Sequence, residues 1–229
     1  DRTAAVTGLN EKAAKAAGIE YEKVVLSPAS HATYYPGARN MFIKLLYEKG
    51  SQRIIGSQIV GYEGVDKRSD IIATAMQAGM KVTGLAELDL AYAPPYSSAK
   101  DPVNMAGFMA ENIENGLVSQ FHWHDIPELL NDTGVFLLDT RTRREFGLGH
   151  VEGFTNIPVQ ELRDRLEELP SGKPIYIMCQ SGLRSYLSCR ILSQNGFECY
   201  NFSGGYSFYK SVVLDEMTAE QTFHCGMEK

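Results

Sequence analysis

The sequence predicts an α/β chain in two parts, an α+β domain over residues 1–116 and a parallel-sheet α/β domain over residues 117–229. A length of 229 residues accommodates two small domains more readily than one large one. The two halves also differ in pattern. Hairpin and helix signals come first, and short continuous apolar runs separated by amphipathic segments follow. Continuous runs of that kind are typical of parallel strands buried on both faces.

The first part carries a hairpin between helices. Residues 41–47 have the two-residue period of a strand, in which Met41, Ile43, Leu45 and Tyr47 alternate with Phe42, Lys44 and Leu46. A polar turn at 49–52 leads into a second strand, so the two strands should pair antiparallel. Pro102 is a good first-turn residue for a last helix, and Gly116 ends it. The predicted elements are a helix at 11–17, strands at 41–47 and 53–61, and helices through 72–79 and from 102 to 115.

The second part alternates strands with helices, which indicates βαβ units and a parallel sheet. The boundary is placed at 116–119, where the pattern changes. The predicted elements are strands at 135–138 and 175–178 and amphipathic helices at 126–131, 143–147, 159–169 and 183–195.

Composition and charge exclude several classes of protein. The net charge of −6 offers no electrostatic basis for binding nucleic acid or an anionic membrane, so neither partner is expected. No apolar run approaches the ~18 residues that span a bilayer, and no signal peptide is visible. All four cysteines lie at or after position 179, without metal-ligand spacing or the spread of a disulfide framework. The expected compartment is therefore a reducing cytoplasm.

Cys179 stands out because it follows a predicted parallel strand and immediately precedes a predicted helix. Leu183, Leu187 and Ile191 mark that helix by their four-residue spacing. Ligands of open α/β sheets bind at the carboxyl ends of strands, and a helix start offers unpaired N–H groups that bind anions. A thiolate is such an anion, so the pattern predicts a reactive cysteine held by backbone amides.

The residues after Cys179 support this interpretation. Gly182 allows the loop to curl so that its amides converge, and Arg184 adds a cation. Packing is the alternative, because cysteine is among the most buried residue types. The following Gly and Arg, and the helix that starts at once, favour the reactive role. The candidate loop consists of Gln180, Ser181, Gly182, Leu183, Arg184 and Ser185.

These motifs resemble the rhodanese family over about residues 120–210. The loop 179–185 is similar to its active-site loop, residues 138–141 to its early strand end, and Gly149–Pro158 to its G-H-I-x-G-A-x-N-I-P signature; Gly204-Gly205 fits its late G-G. The resemblance implies that Cys179 attacks a sulfane-sulfur donor, such as a low-molecular-weight persulfide. The cysteine would then hold the sulfur as a persulfide that the loop amides stabilise.

Loop length argues against a second chemistry on the same fold. The resemblance implies that related phosphatases and arsenate reductases have one more residue between the cysteine and the arginine. Here Arg184 lies five residues after Cys179, which suits a sulfur atom better than a tetrahedral oxyanion.

The first part contains no cysteine and no Gly-rich phosphate loop. Its most specific stretch, Tyr92–Ser97, resembles the dimerisation domain of flavoprotein pyridine nucleotide-disulfide reductases, and residues 7–10, 34–38 and 59–68 also fit. The most similar type is the coenzyme A-disulfide and NADH-dependent persulfide reductases. The resemblance implies a homodimer through this domain, in which Tyr34 and Tyr92, with Tyr96, reach the partner subunit's redox site.

The same resemblance implies FAD, NAD(P)H and coenzyme A for a full-length protein. Their flavin and nicotinamide domains are expected before residue 1, so this chain alone is expected to bind none of these cofactors. The function expected from the whole pattern is sulfur transfer through Cys179 within a coenzyme A-disulfide or persulfide reductase. A non-catalytic dimerisation and partner-binding fragment is the alternative.

Several other polar groups are expected to have structural rather than catalytic roles. His122 and His124 have no third ligand nearby, so no metal site is expected. His150 is expected to be a hydrogen-bonded structural residue, and Asp139 and Arg141 a structural ion pair or cap. Two further cysteines, Cys189 and Cys199, are expected to be buried, whereas Cys225 lies in a polar tail from which it could resolve a persulfide.

Overall fold

A computed structural model describes residues 2–219, with side chains described through residue 213. It contains two sheets, a four-stranded antiparallel sheet followed by a five-stranded parallel one. The α/β prediction, with an α+β part before a parallel-sheet part, is therefore confirmed. Among the described residues no helix is long and apolar enough to cross a membrane.

The first sheet has the strand order β1-β4-β3-β2, and helices cover it. The predicted hairpin is confirmed as β3 and β4, and the predicted helices as α1, α2 and α3. Strands β1 and β2 were not predicted. The elements are β1 (Thr3–Gly8), α1 (Glu11–Ala16), β2 (Tyr21–Leu26), β3 (Phe42–Glu48), β4 (Ile54–Gly61), α2 (Val65–Gln77), a 3₁₀ helix (Val82–Glu87) and α3 (Pro102–Glu114).

The main core of this part lies between the sheet and helices α2 and α3. Ile43, Leu45 and Tyr47 of β3 point into it, as their alternation predicts. Leu46 of the same strand packs on the opposite face with Ala14 of α1. Strand β3 is therefore buried on both faces, which explains why its sequence is almost continuously apolar.

The second sheet has the order β5-β9-β8-β6-β7, and every pair in it is parallel. Strand β8, which leads to Cys179, lies at its centre, so the cysteine is placed at the middle of the sheet edge. The elements are β5 (Ser119–Phe121), a 3₁₀ turn (Trp123–Asp125), α4 (Ile126–Leu129), β6 (Phe136–Asp139), α5 (Arg143–Gly147), β7 (Thr155–Asn156), a 3₁₀ helix (Leu162–Glu168), β8 (Ile175–Met178), α6 (Leu183–Gln194), β9 (Cys199–Phe202) and α7 (Gly205–Ala219).

One prediction for the helices of this part was wrong. The helix expected over 159–169 is a shorter 3₁₀ segment, kinked at Arg165. Pro170 holds Leu169 in an extended conformation, which stops any α-helix there. Helix α6 forms as predicted, but its buried face is Ser185, Ser188, Cys189, Ile191 and Leu192. The side chains of Leu183 and Leu187 are 57% and 46% exposed.

The two parts meet where the edge strand β2 faces the loop after β9. Ser203 binds Val25 twice, because its Oγ accepts from the Val25 N–H at 3.1 Å and lies 3.3 Å from the Val25 carbonyl oxygen. Ser27 donates to the carbonyl of Gly204 at 2.7 Å. All of these groups are buried, so the second part satisfies an edge that would otherwise be unpaired.

Candidate active site at the carboxyl end of β8

Cys179 follows β8 directly and is fully buried at the entrance to α6. Its Sγ accepts a hydrogen bond from the Gly182 N–H at 3.2 Å and lies 3.3 Å from the Ser185 hydroxyl. Gly182 has φ of 104°, a left-handed conformation that turns its N–H back toward the sulfur. The loop therefore directs two hydrogen-bond donors at the sulfur.

Gly204 and Gly205 support this loop from behind. The carbonyls of Cys179 and Gln180 accept hydrogen bonds from the N–H groups of Tyr206 and Ser207, at 2.8 and 3.1 Å. A Cβ on Gly205 would lie 2.5 Å from the Ser181 nitrogen, so no other residue fits there without displacing the loop. The Gly204-Gly205 motif therefore packs directly against the cysteine loop.

A buried ion pair supports the loop from the side. Arg141 binds both carboxylate oxygens of Asp139, with Nη2 at 2.7 Å from Oδ2, and both residues are buried. The same guanidinium reaches Gln180 Oε1 at 3.4 Å and stacks on the ring of Tyr206 at 3.9 Å. The pair contacts the loop but not the sulfur, in agreement with the structural role expected from the sequence.

Arg184 lies on the first turn of α6, and its guanidinium is already paired. Nη2 and Nη1 donate to the two carboxylate oxygens of Glu145, at 2.6 and 2.8 Å. This bidentate hydrogen bond lowers the pKa of Glu145 to about 2, and burial only partly opposes the shift. Glu145 was not predicted as a site residue, although its position three residues after Thr142 is the signature of a capping box, which the structure contains.

The Arg184–Glu145 pair predicts acid-sensitive stability. The pKa of Glu145 falls from an ordinary 4.5 to about 2 on folding, so the pair stabilises the fold fully above pH 4.5 and loses this effect as pH falls toward 2. Glu145→Gln should therefore be less stable than the parent chain at about pH 6, and most of that difference should vanish by about pH 3. Urea denaturation at both pH values measures this, and a difference independent of pH would contradict the pairing.

The tyrosines singled out in the first part lie together. The hydroxyls of Tyr34 and Tyr92 are 2.7 Å apart, and this hydrogen bond raises the pKa of Tyr92. Both side chains are exposed, as is that of Tyr96 on the same loop. The structure thus brings Tyr34 and Tyr92 into one phenol pair on the surface, although they are far apart in sequence.

Arg68, buried at the base of this surface, connects the two tyrosine-bearing segments. Its Nη2 donates to the carbonyls of Ser30 and Tyr96, at 3.1 and 3.3 Å, and to Asp101 Oδ2 at 2.8 Å. Arg68 and Asp101 are both nearly inaccessible to solvent. This buried pair was not predicted from the sequence, because a charged residue on a helix is normally exposed.

The remaining candidates lie outside the cysteine loop and the tyrosine surface. His122 and His124 stack on each other, and among residues 2–219 no cluster of three or more His, Cys, Asp or Glu could hold a metal ion. His150 stacks on Phe146, and its Nδ1 lies 3.1 Å from that residue's carbonyl oxygen. Cys189 is buried as expected, Cys199 is half-buried, and Cys225 lies outside the described residues.

Two family models match successive parts of the chain. The pyridine nucleotide-disulphide oxidoreductase dimerisation domain matches residues 1–102, and the rhodanese-like domain matches residues 123–211. The chain thus combines a match to a dimerisation domain with a match to a rhodanese-like domain. The predicted boundary near residue 116 lies between the two matches and stays a prediction.

Known proteins share this combination. The structure of reduced CoADR-RHD from Bacillus anthracis is 48% identical, with a TM-score of 0.90 over 93% of this chain and 38% of its own. An NAD-dependent persulfide reductase from A. fulgidus is 42% identical, with a TM-score of 0.82 over 91% of this chain and 37% of its own. Coenzyme A disulfide reductase from Staphylococcus haemolyticus is 36% identical over 49% of this chain and 25% of its own length.

These similarities confirm both family resemblances drawn from the sequence. The chain spans about a quarter of the length of the curated relatives it matches. Coenzyme A disulfide reductase from Staphylococcus aureus is 40% identical over 92 residues, which are 21% of that protein.

Proposed function

We propose that Cys179 accepts sulfane sulfur and carries it as a persulfide. The thiolate attacks the outer sulfur of a donor R–S–SH. The donor's S–S bond breaks, its electron pair leaves on the thiolate RS⁻, and Cys179–S–SH forms. A later thiol attacks the outer sulfur and returns Cys179 to its thiolate.

The observation that carries this proposal is the pair of donors on the cysteine sulfur. The Gly182 N–H and the Ser185 hydroxyl lie 3.2 and 3.3 Å from Sγ. They can stabilise negative charge as it moves onto the added sulfur atom, the same principle as an oxyanion hole. A chain that served only as a scaffold would not need hydrogen-bond donors at a cysteine sulfur. Their presence argues against the non-catalytic alternative.

The cofactors named for the family belong, in this proposal, to other parts of a longer protein. Dinucleotides need a Gly-rich turn between a strand and a helix, where the helix amides hold the pyrophosphate. The turn between β8 and α6 instead directs the Gly182 amide at the Cys179 sulfur. FAD, NAD(P)H and coenzyme A are therefore proposed for the full-length reductase, and we assign this chain no residues that hold them.

Sulfide release tests the proposal directly. The chain is incubated with an excess of an organic persulfide, freed of unreacted donor and treated with dithiothreitol. We expect about one equivalent of sulfide per chain, because one cysteine carries one sulfur atom. Release no greater than that from chain whose thiols were blocked by alkylation before the donor was added would contradict the proposal.

We further propose that the first domain forms a homodimer, with Tyr34, Tyr92 and Tyr96 facing the partner subunit. Exposed aromatic groups concentrated on one surface are typical of interfaces. Sedimentation should show a dimer, and Tyr34→Asp combined with Tyr96→Asp should shift the chain toward monomer. Leu130→Asp, an exposed position in the second domain, is the control and should leave the dimer intact. A monomeric parent chain at high concentration would contradict this proposal.

A further inference from the structure

The cysteine loop and the carboxylate bound to it carry little net charge. Within residues 179–185, Arg184 is the one cationic side chain, and the loop has no acidic residue. Both outer nitrogens of its guanidinium are bound to Glu145. The positive charge of Arg184 is thus offset locally before any donor arrives.

Glu145 is held in place from its own helix. It is the third residue of α5, and its Oε2 accepts hydrogen bonds from the N–H of Thr142 at 2.9 Å and from the Thr142 hydroxyl at 2.7 Å. A carboxylate offers about four lone-pair sites to donors. Thr142 and Arg184 together supply donors to both oxygens of Glu145. The carboxylate is therefore a fixed feature of the loop mouth.

Apolar side chains flank the pair on both sides. Leu183 precedes Arg184 and is 57% exposed, and Leu187 lies one helical turn further on at 46%. Leu148, three residues after Glu145, is 80% exposed. A large exposed apolar side chain next to a reactive group offers contact to the carbon part of a ligand.

We infer that Glu145 is a specificity-determining residue that selects organic persulfides of low charge over the dianion thiosulfate. This inference rests on the proposed persulfide chemistry of Cys179. Thiosulfate would bring two negative charges toward the Cys179 thiolate, and the one cation of the loop, Arg184, is already paired with Glu145. An organic persulfide brings one charge or none, and its carbon chain can contact the exposed leucines.

The two donors differ in what leaves the site. With R–S–SH, the thiolate takes the outer sulfur and the thiolate RS⁻ departs. With thiosulfate, the thiolate takes the sulfane sulfur, the S–S bond breaks with its electron pair, and sulfite departs as a dianion, so the charge balances. Both routes give the same persulfide on Cys179. A change in the ratio of the two loading rates between variants therefore measures how the site discriminates between the donors.

The experiment measures that ratio in Glu145→Gln. Glutamine keeps the capping-box position and can still accept one hydrogen bond from Arg184, but it frees the positive charge. The second-order rate constant of Cys179 loading is measured at low ionic strength with thiosulfate and with 2-hydroxyethyl persulfide, which has no charge other than that of its persulfide group. The ratio of the thiosulfate constant to the persulfide constant should rise by about tenfold or more.

A matched control exists on the same domain. Glu168 also binds an arginine through both oxygens, at 2.6 and 2.7 Å from Arg165. Glu168→Gln removes the same charge from another ion pair, and it should leave the ratio unchanged. A ratio in Glu145→Gln within about twofold of the parent chain, or an equal rise in Glu168→Gln, would overturn the inference.

Arg184→Gln provides a second arm should Glu145→Gln fail to fold. It leaves the carboxylate without its cation, so the ratio should fall by about tenfold, and an unchanged ratio would again overturn the inference. The two proposals fail differently. Absence of loading with either donor in the parent chain would overturn the persulfide function itself, whereas loading with an insensitive ratio would overturn only the role of Glu145.

Discussion

Replacing Cys179 by serine is expected to abolish sulfide release completely. A hydroxyl cannot form the S–S bond that carries the sulfur, so no residual transfer through this position is possible. The side chain is fully buried, but serine is smaller and can still meet the donors from Gly182 and Ser185. The free energy of unfolding should therefore change by about 1 kcal/mol or less.

Cys199→Ser is the matched control for this substitution. Its thiol donates to the carbonyl of Cys189 at 3.3 Å, a contact that a hydroxyl can reproduce, and it lies outside the loop. This variant should release sulfide as the parent chain does. Sulfide release that persists in Cys179→Ser and disappears in Cys199→Ser would show that Cys199 carries the sulfur instead of Cys179. That result would contradict the account.

Replacing Gly205 by alanine is expected to remove sulfur loading and destabilise the second domain. The new Cβ would lie 2.5 Å from the Ser181 nitrogen and 2.6 Å from the Gln180 oxygen, which are backbone atoms that cannot turn aside. The positive φ of 72° adds strain. Together these effects should cost about 3 kcal/mol and displace the loop that holds Cys179.

Gly196→Ala is the control that separates the effect of backbone strain from that of displacing the cysteine loop. Gly196 has φ of 82°, but nothing lies within 4 Å of the place that a Cβ would take, so alanine meets strain there without a clash. This variant should lose about 1 kcal/mol and load sulfur normally. Thermal melting and sulfide release measure both variants, and a Gly205→Ala chain that melts and loads like the parent would show that the glycine does not support the loop.

The sequence predicts the cysteine loop well because local order determines its place. A strand, a cysteine, a glycine and a helix in immediate succession need no knowledge of distant contacts, and the structure places Cys179 at the start of α6. The hairpin of β3 and β4 is predicted for the same reason, since the turn between them joins neighbouring segments.

Features that depend on distant segments were not predicted. Strand β1 pairs with β4 across more than forty residues, and its own alternation is weak because its side chains are largely exposed. The Glu145–Arg184 pair joins positions 39 apart. The four-residue spacing of Leu183, Leu187 and Ile191 predicts the helix α6 but not which of its residues are buried, because that depends on the sheet on which the helix packs.

Mapping the sulfur atom by mass spectrometry tests the central claim most directly. The chain is loaded with an organic persulfide, its free thiols and persulfides are alkylated, and the peptides are sequenced. We predict an added mass of about 32 Da, one sulfur atom, on the peptide that contains Cys179 and at that residue. An unmodified Cys179 after loading, or the added sulfur found instead on Cys189, Cys199 or Cys225, would contradict the account.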